Sequence, residues 1–333
     1  MELQIWMGRA GAGKSRRVLK TMQERRQRPQ ILLVPEHASH EAELDLCRAL
    51  GPTASRDAEV LSFRNLATRV LAQTGGLADV TLDAGGKLLT MRRALQEVSS
   101  RLTVFARPSQ RPAFLRQLVA LADELYAYQV TPEMLLAQVA DMEGAAGDKL
   151  RSAALIYGAY DAHLRGEGFD ARSRVQKLCD ALPESDYLMG KDVYVDGFSY
   201  FNRVEEDILE TALRQGNCLT VTLLGDESDP QLFQNALRQR DRLKRMAALV
   251  HARCEVETLV SKNDGPLGYL ERCFFDGEEP WQGEEPPIRL YQAETAFSEA
   301  EYVSACVRRL ARQGCRWRDI GVAARNMEGY GAL

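Results

Sequence analysis

The sequence is poor in the features that announce export, metal chemistry or membrane life. It holds seven cysteines (47, 179, 218, 254, 273, 306 and 315), and no two are spaced as Cys-x-x-Cys. That scatter argues against a disulfide framework and a structural zinc site, and most of the thiols are expected to be small core residues. No apolar run is long enough to span a bilayer. The N-terminus, MELQIWMGRAGAGKS, lacks the basic-then-apolar arrangement of an export signal, so a cytoplasmic protein with no membrane attachment is expected. An excess of one charge is missing too: 43 basic against 47 acidic residues leave −4. That balance neither announces nucleic acid nor excludes a local cationic groove. Lysine is scarce, 8 of the 43 basic residues, which a coding bias explains more simply than function does. What remains is globular, 45% hydrophobic and 27% charged. Three hundred and thirty-three residues are more than one core usually serves, so two or three domains are expected.

Read along its length, the chain alternates strands with helices. Residues 3–7 are short and apolar enough for a buried strand, 8–13 are a glycine-rich turn, and 14–25 carry Val18, Leu19 and Met22 at helical spacing. Strands follow at 31–34, stopped by Pro35, and at 60–63, the latter leading into a helix over 65–73. Such alternation implies a parallel sheet covered on both faces, an α/β fold. Between 82 and 182 no strand candidate occurs; Leu88, Met91, Leu95 and Val98 mark one amphipathic helix and Phe114, Leu118, Leu121 and Leu125 another. Thr131-Pro132-Glu133 is a capped helix start. Strands resume at 192–196, 219–224 and 255–260, with a helix over 229–253 between the last two. The acidic, Pro- and Gly-rich stretch 276–287 reads as a linker. A strand at 288–291, a helix at 298–313 and a strand at 320–324 then open a further α/β unit. Two strands and one helix cannot bury both faces of a parallel sheet, so the chain is expected to be the N-terminal part of something longer.

Gly8, Arg9, Ala10, Gly11, Ala12, Gly13, Lys14 and Ser15 fit G-x-x-x-x-G-K-[ST] at every fixed position. With glycine at about 7% of residues, a chance match in such a chain is roughly a one-in-a-hundred event, and placement between strand and helix lowers it further. Glycines let successive N–H groups curl around a phosphate, with the positive end of the following helix behind them. Lys14 is placed to reach the β- and γ-phosphates of ATP, and Ser15 to ligate Mg²⁺. Val193-Tyr194-Val195-Asp196 can deliver an acid beside that Mg²⁺. The next residue is Gly197, where a translocating ATPase needs a carboxylate to activate water. Glu205 and Glu206 lie one helix away as substitutes.

Other clusters read more plainly. His37 and His40, with Glu41 and Glu43, share a helix face but lack a third ligand pattern, and a solvated helix start accounts for them. Arg16, Arg17, Lys20, Arg25, Arg26 and Arg28 form a basic face that solvent satisfies. His163 and His251 each stand alone.

The P-loop, the helical insertion and the late acidic strand occur in the order used by the UvrD-like superfamily 1 helicases, in which a helical domain interrupts the first RecA-like domain. Val60-Leu61-Ser62-Phe63-Arg64-Asn65-Leu66 resembles that family's T-F-H-x-L segment, and Leu224-Gly225-Asp226 its V-G-D segment. The run from Ser298 to Asn326 resembles the start of its second RecA-like domain, where the family's arginine points at the γ-phosphate; the resemblance gives that role to Arg325. Ser62, Phe63 and Arg64 become candidate DNA contacts by the same route.

Departures narrow the match. Asp196-Gly197-Phe198-Ser199-Tyr200 stands where a helicase has D-E-x-Q-D, Ala324 where an aromatic stacks on adenine, and Pro35-Glu36 where an aromatic meets single-stranded DNA. The string Y-V-D-G-F, G-R-A-G-A-G-K-S at the very start, and V-P-E-H after the second strand resemble the AddB family, which supplies one half of the bacterial AddAB helicase–nucleases. The resemblance implies a RecA-like P-loop NTPase sheet at 1–80 and 185–275, an inserted all-helical domain at 81–184, a linker at 276–287 and the start of a second RecA-like domain at 288–333. It implies an ATP- and Mg²⁺-binding subunit of an ATP-dependent exodeoxyribonuclease. Its partner would be a UvrD-like, AddA-type helicase–nuclease chain in a heterodimer, and its substrate DNA at double-strand breaks awaiting recombinational repair. A nuclease domain with an iron–sulfur cluster is expected only beyond Leu333. Gly197 gives a physical reason for weak or absent motor activity. Three rivals stay open at this point: a competent ATP-dependent DNA translocase, a small-molecule P-loop kinase, and an adaptor whose P-loop is vestigial.

Overall fold

The computed structural model describes residues 1–51, 53–77, 82–105, 111–140, 142–166, 174–260, 265–274, 280–283, 288–327 and 329–331. They fall into two compact units, Met1–Lys262 and Asn263–Leu333.

The first unit is built on six strands, β1 (Glu2–Gly8), β2 (Gln30–Leu33), β3 (Ala58–Leu61), β4 (Asp192–Val195), β5 (Cys218–Leu224) and β6 (Arg253–Leu259), in the order β3-β2-β4-β5-β1-β6. Every pairing is parallel. Burial on both faces explains the apolar runs of β1, β2, β4 and β5, whereas β6 at the sheet's margin is largely exposed. Side chains alternate between the two faces. Leu3, Ile5, Met7, Val193, Val195, Leu219 and Val221, each fully buried, face α4 (Phe63–Thr74), α9 (Arg174–Ala181), α10 (Arg203–Gln215) and α11 (Gln234–Leu249). Trp6, Leu32 and Tyr194 face α1 (Lys14–Glu24) and α2 (Ser39–Leu50), which close the other side with Val18, Met22, Leu46 and Leu50. A one-turn helix, α3 (Ala54–Asp57), leads into β3.

Between β3 and β4 the described residues hold helices and no strand: α5 (Ala84–Val98), α6 (Pro112–Ala127), α7 (Pro132–Val139) and α8 (Gly144–Gly166), before α9 returns to the sheet. Their own core joins Met91, Leu95, Leu118, Ile156, Tyr157 and Tyr160. Thr131 caps α7 by accepting the Met134 N–H at 3.2 Å, with Pro132 in the first turn. The Tyr157 hydroxyl donates to the Val130 carbonyl at 2.9 Å and the Tyr126 hydroxyl to Asp161 at 2.7 Å, so these two phenols have the partners that buried polar groups need.

Two expectations need correction. In the second unit, residues 288–291 and 320–324 are irregular, not strands. A strand exists only as part of a hydrogen-bonded ladder, and these segments pair with nothing among the described residues; Leu290 is wholly exposed and Val322 61% exposed. The helix between them is present as α13 (Ala296–Arg312), preceded in this unit by α12 (Pro266–Cys273), and Tyr291 stacks on Tyr302 with ring centroids 3.7 Å apart. The expected linker at 276–287 lies mostly outside the described residues.

Leu66, fully buried on α4 within the larger core, gives a direct check on which face carries the fold. Leu66→Ala should lower unfolding stability by about 2–5 kcal/mol in urea titration, and a loss below about 1 kcal/mol would place the core elsewhere.

A candidate nucleotide site at the carboxyl edge of the sheet

Because all strands run the same way, their C-terminal ends meet at one edge. β1 leads through α1 to β2, and two strands, β4 and β5, lie between them. Such a reversal of strand order leaves a crevice at the carboxyl edge, where open α/β sheets take their ligands. The edge gathers the Gly8–Ser15 turn, Asp196, Asp226, Pro35-Glu36 and Ser62 from five different strand ends.

The turn begins at a position that admits only glycine. A Cβ on Gly8 would stand 2.8 Å from the Leu259 carbonyl oxygen of β6 and 2.9 Å from the Ala12 Cβ. Gly11 and Gly13 take φ of 73° and 85°, left-handed values that cost other residues strain, and the space in which their Cβ atoms would lie is open. Gly13 is the N-cap of α1, no side chain caps it, and the first turn holds no acid. The first backbone bond of the helix is Arg17 N–H to Gly13 C=O, at 2.9 Å. The preceding amides therefore lack intrahelical acceptors and, with the helix dipole, favour an anion. Lys14 donates from Nζ to the carbonyls of Gly8 (2.8 Å) and Arg9 (2.9 Å), which holds its ammonium over the turn. Ser15 is exposed one residue on. An open ring of amides with one ammonium is a donor set that fits a polyphosphate.

Arg9 ties this turn to the opposite side of the crevice. Its Nε lies 2.7 Å from Asp226 Oδ2, and its guanidinium sits 5.3 Å from the centre of the Phe233 ring. The Gly225 N–H donates to the Gly8 carbonyl at 3.2 Å. Burial alone raises the Asp226 pKa, but the Ser228 N–H and Arg9 outweigh it and hold the carboxyl below its usual range. Leu224-Gly225-Asp226 stands out in the sequence as a motif, whereas its pairing with Arg9 does not. The partners are 217 positions apart, and no local spacing signals such a contact.

Asp196 follows β4, its N–H bonded to the Leu33 carbonyl at 2.9 Å and its carboxylate accepting the Thr222 hydroxyl. One strand separates β4 from β1, which sets their backbones about 10 Å apart. That span suits a carboxylate reaching a hydrated cation on phosphate rather than the phosphate itself. Mg²⁺ held by one carboxylate, water and phosphate needs no protein cage, in keeping with the absence of any His/Cys/Asp/Glu triad suited to a metal among the described residues. His37 and His40 fall on a 3₁₀ turn and on the start of α2.

Gly197 has φ 81°, with Pro35 Cδ 3.4 Å from where a Cβ would lie. It turns the chain so that Phe198 packs against Phe63 and Phe201, both at 5.3 Å between centroids. Glu205, one of the two substitute carboxylates, closes a capping box by accepting the Asn202 N–H at 2.9 Å. Burial raises its pKa against that hydrogen bond. Glu206 accepts Gln239 at 3.0 Å and Arg242 at 3.3 Å.

Ser62 and Phe63 are buried, 3% and 5% exposed. The Ser62 hydroxyl accepts the Asn65 N–H, capping α4, and donates to Glu36 at 2.5 Å. Arg64 is exposed beside them. Arg325 and Ala324 are exposed in the second unit.

A profile of the family described as ADDB, N-terminal, matches residues 5–270. Relatives along the whole chain are described as one subunit of an ATP-dependent helicase/deoxyribonuclease. One from Desulforudis audaxviator is 33% identical over 100% of this chain and 31% of its own length. Others from Moorella thermoacetica and Geobacillus thermodenitrificans are 31% and 29% identical over 99% of this chain, and 31% and 30% of their own lengths. The chain thus spans about a third of the length of these relatives.

The Arg9–Asp226 pair predicts a pH dependence with a definite sign. The folded carboxyl titrates below its unfolded value, so its contribution to stability is present above the unfolded pKa of about 3.9 and is lost as pH falls through the folded value. Asp226→Asn cannot take up that proton. Between about pH 5 and pH 3 its urea midpoint should fall less than that of the wild type; parallel falls would show that the pair contributes nothing.

Proposed function

The chain belongs to the ADDB N-terminal family, and on that footing we propose that it is the ATP-binding, helicase-like part of a helicase–nuclease that processes DNA double-strand ends for recombinational repair. The observation that carries the reading is the turn itself: left-handed glycines at 11 and 13, an uncapped helix start, and Lys14 drawn over the ring. The amides of Gly8–Ser15 would hold the phosphates, Lys14 would neutralise the β- and γ-oxygens, and Ser15 and Asp196 would hold Mg²⁺. ATP with its Mg²⁺ supplies a phosphoryl group transferable to water. The family resemblance extends a γ-phosphate role to Arg325.

Binding and turnover are separable in this reading. The position after Asp196 has no carboxylate, its left-handed backbone disfavours any residue but glycine, and Glu205 is committed to its capping box. Hydrolysis by this part of the chain should be slow or absent. The relatives' designation as one subunit of an enzyme supports an AddA-type, UvrD-like partner in a heterodimer that carries the motor activity. The proposed layout remains a RecA-like domain at 1–80 and 185–275, a helical insertion at 81–184, a linker at 276–287 and a second RecA-like domain beginning at 288. No helix among the described residues is long and apolar enough to cross a membrane, which is compatible with a cytoplasmic site of action. Of the candidate DNA contacts, Arg64 is exposed for direct contact, whereas Ser62 and Phe63 would act by fixing the start of α4.

Calorimetric titration with Mg·ATP tests the reading. Lys14→Ala removes a charge-assisted contact of about 1.5–3 kcal/mol, so it should weaken binding roughly ten- to a hundredfold. Equal affinities for the two proteins would refute the site.

A further inference from the structure

Helix α11 reads Gln-Asn-Ala-Leu-Arg-Gln-Arg-Asp-Arg-Leu-Lys-Arg-Met-Ala-Ala-Leu, with five basic residues and one acid. Arg238, Arg242 and Arg245 recur at intervals of four and three, which puts them on one stripe of the helix. The stripe forms one wall of a cavity of about 890 Å³ whose other wall is α10.

The charges in this groove do not cancel. Each acid on the α10 wall already has an arginine: Asp207 with Arg203 at 3.0 Å, Glu206 with Arg242 at 3.3 Å, and Glu210 with Arg214 at 2.8 Å. Elsewhere on α11, Arg240 is spent on Glu227 and Asp241. Arg238 and Arg245 make no ion pair or hydrogen bond among the described residues. Two uncompensated guanidinium groups therefore face the groove, seven residues or about 10.5 Å apart along the axis. Two exposed aromatic side chains line it, Tyr200 at 69% and Tyr128 at 54% exposure. Tyr200 lies four residues past Asp196, so the groove starts near the nucleotide edge and runs down the flank of the sheet.

We propose that the groove between α10 and α11 binds single-stranded DNA, with phosphates on Arg238 and Arg245 and bases stacked on Tyr200 and Tyr128. Unpaired cations track a sugar–phosphate backbone, and exposed rings gain by stacking on bases. A duplex keeps its bases inside the stack, out of reach of such rings, which selects the single strand. The proposal rests on the DNA-processing reading above, but it uses none of the residues of the nucleotide site.

Fluorescence anisotropy of a labelled 20-mer of deoxythymidylate, titrated with the whole 333-residue chain at several salt concentrations, tests it. Arg238→Ala combined with Arg245→Ala removes no ion pair or hydrogen bond of the described fold, so the unfolding midpoint should stay that of the wild type. The double variant should bind at least tenfold more weakly, and the slope of log K against log salt should fall by about 1.4, since each single-strand phosphate contact contributes about 0.7. Tyr200→Ala should weaken binding roughly tenfold, and Tyr200→Phe should restore it. Wild-type affinity and slope in the double variant would overturn the groove while leaving DNA binding in place elsewhere. No binding by the wild type at 50 mM salt would overturn it as well, and Mg·ATP titration of the same sample would show separately whether the nucleotide reading survives. Displacement of the 20-mer by polyglutamate as readily from Tyr200→Ala as from the wild type would assign the groove to an acidic protein segment instead.

Discussion

Gly8 is the point from which the whole carboxyl edge is hung. It is the last residue of β1, bonded through its carbonyl to the Gly225 N–H beyond β5 and pressed against the Leu259 carbonyl of β6. Two neighbouring strands thus fix where the turn begins before the turn makes any contact of its own. From that anchor Arg9 reaches Asp226, Lys14 folds back over the Gly8 and Arg9 carbonyls, and α1 starts with no side-chain cap. Side chains large enough to stabilise the turn by packing would fill the space that the amides surround. The parallel sheet supplies the rigidity, and the glycines supply the opening.

The next strand along the edge is fixed just as firmly. Asp196 is held by the Thr222 hydroxyl and by the Leu33 carbonyl at the end of β2. One residue later the chain takes a left-handed turn against Pro35, and the space a catalytic carboxylate would use is given to a bend that seats Phe198 between Phe63 and Phe201. That aromatic row joins the ends of β3 and β4 to the start of α10. At this one position the backbone is committed to the bend that supports the aromatic packing.

Much of this is legible in residue order. Four of the six strands, β1, β2, β4 and β5, follow from short apolar runs ended by Gly, Pro or Asp, and the parallel arrangement from the alternation of strands with helices. The helical stretch follows from the spacing of Leu88, Met91, Leu95 and Val98, and the P-loop from eight consecutive residues. The two strands expected near the C-terminal end, at 288–291 and 320–324, have the right composition, but a strand depends on a neighbour that composition does not supply. Long-range pairings are equally hidden. Asp226 meets Arg9 across 217 positions, and Arg238 and Arg245 stand out only once the acids on the facing helix are seen to be occupied. The buried role of Ser62 and Phe63 is hidden for the same reason: a cap and a core ring look like exposed contacts until burial is known.

Backbone amide shifts, recorded by transverse-relaxation-optimised NMR as Mg·ATP is added, give the most direct view of whether the Gly8–Ser15 turn holds phosphate. A gripping turn would move the Gly11, Gly13, Lys14 and Ser15 amides first and furthest, with Asp196 following only when Mg²⁺ is present. Shifts spread over other surfaces while those four amides stay still would contradict the nucleotide site and everything built on it.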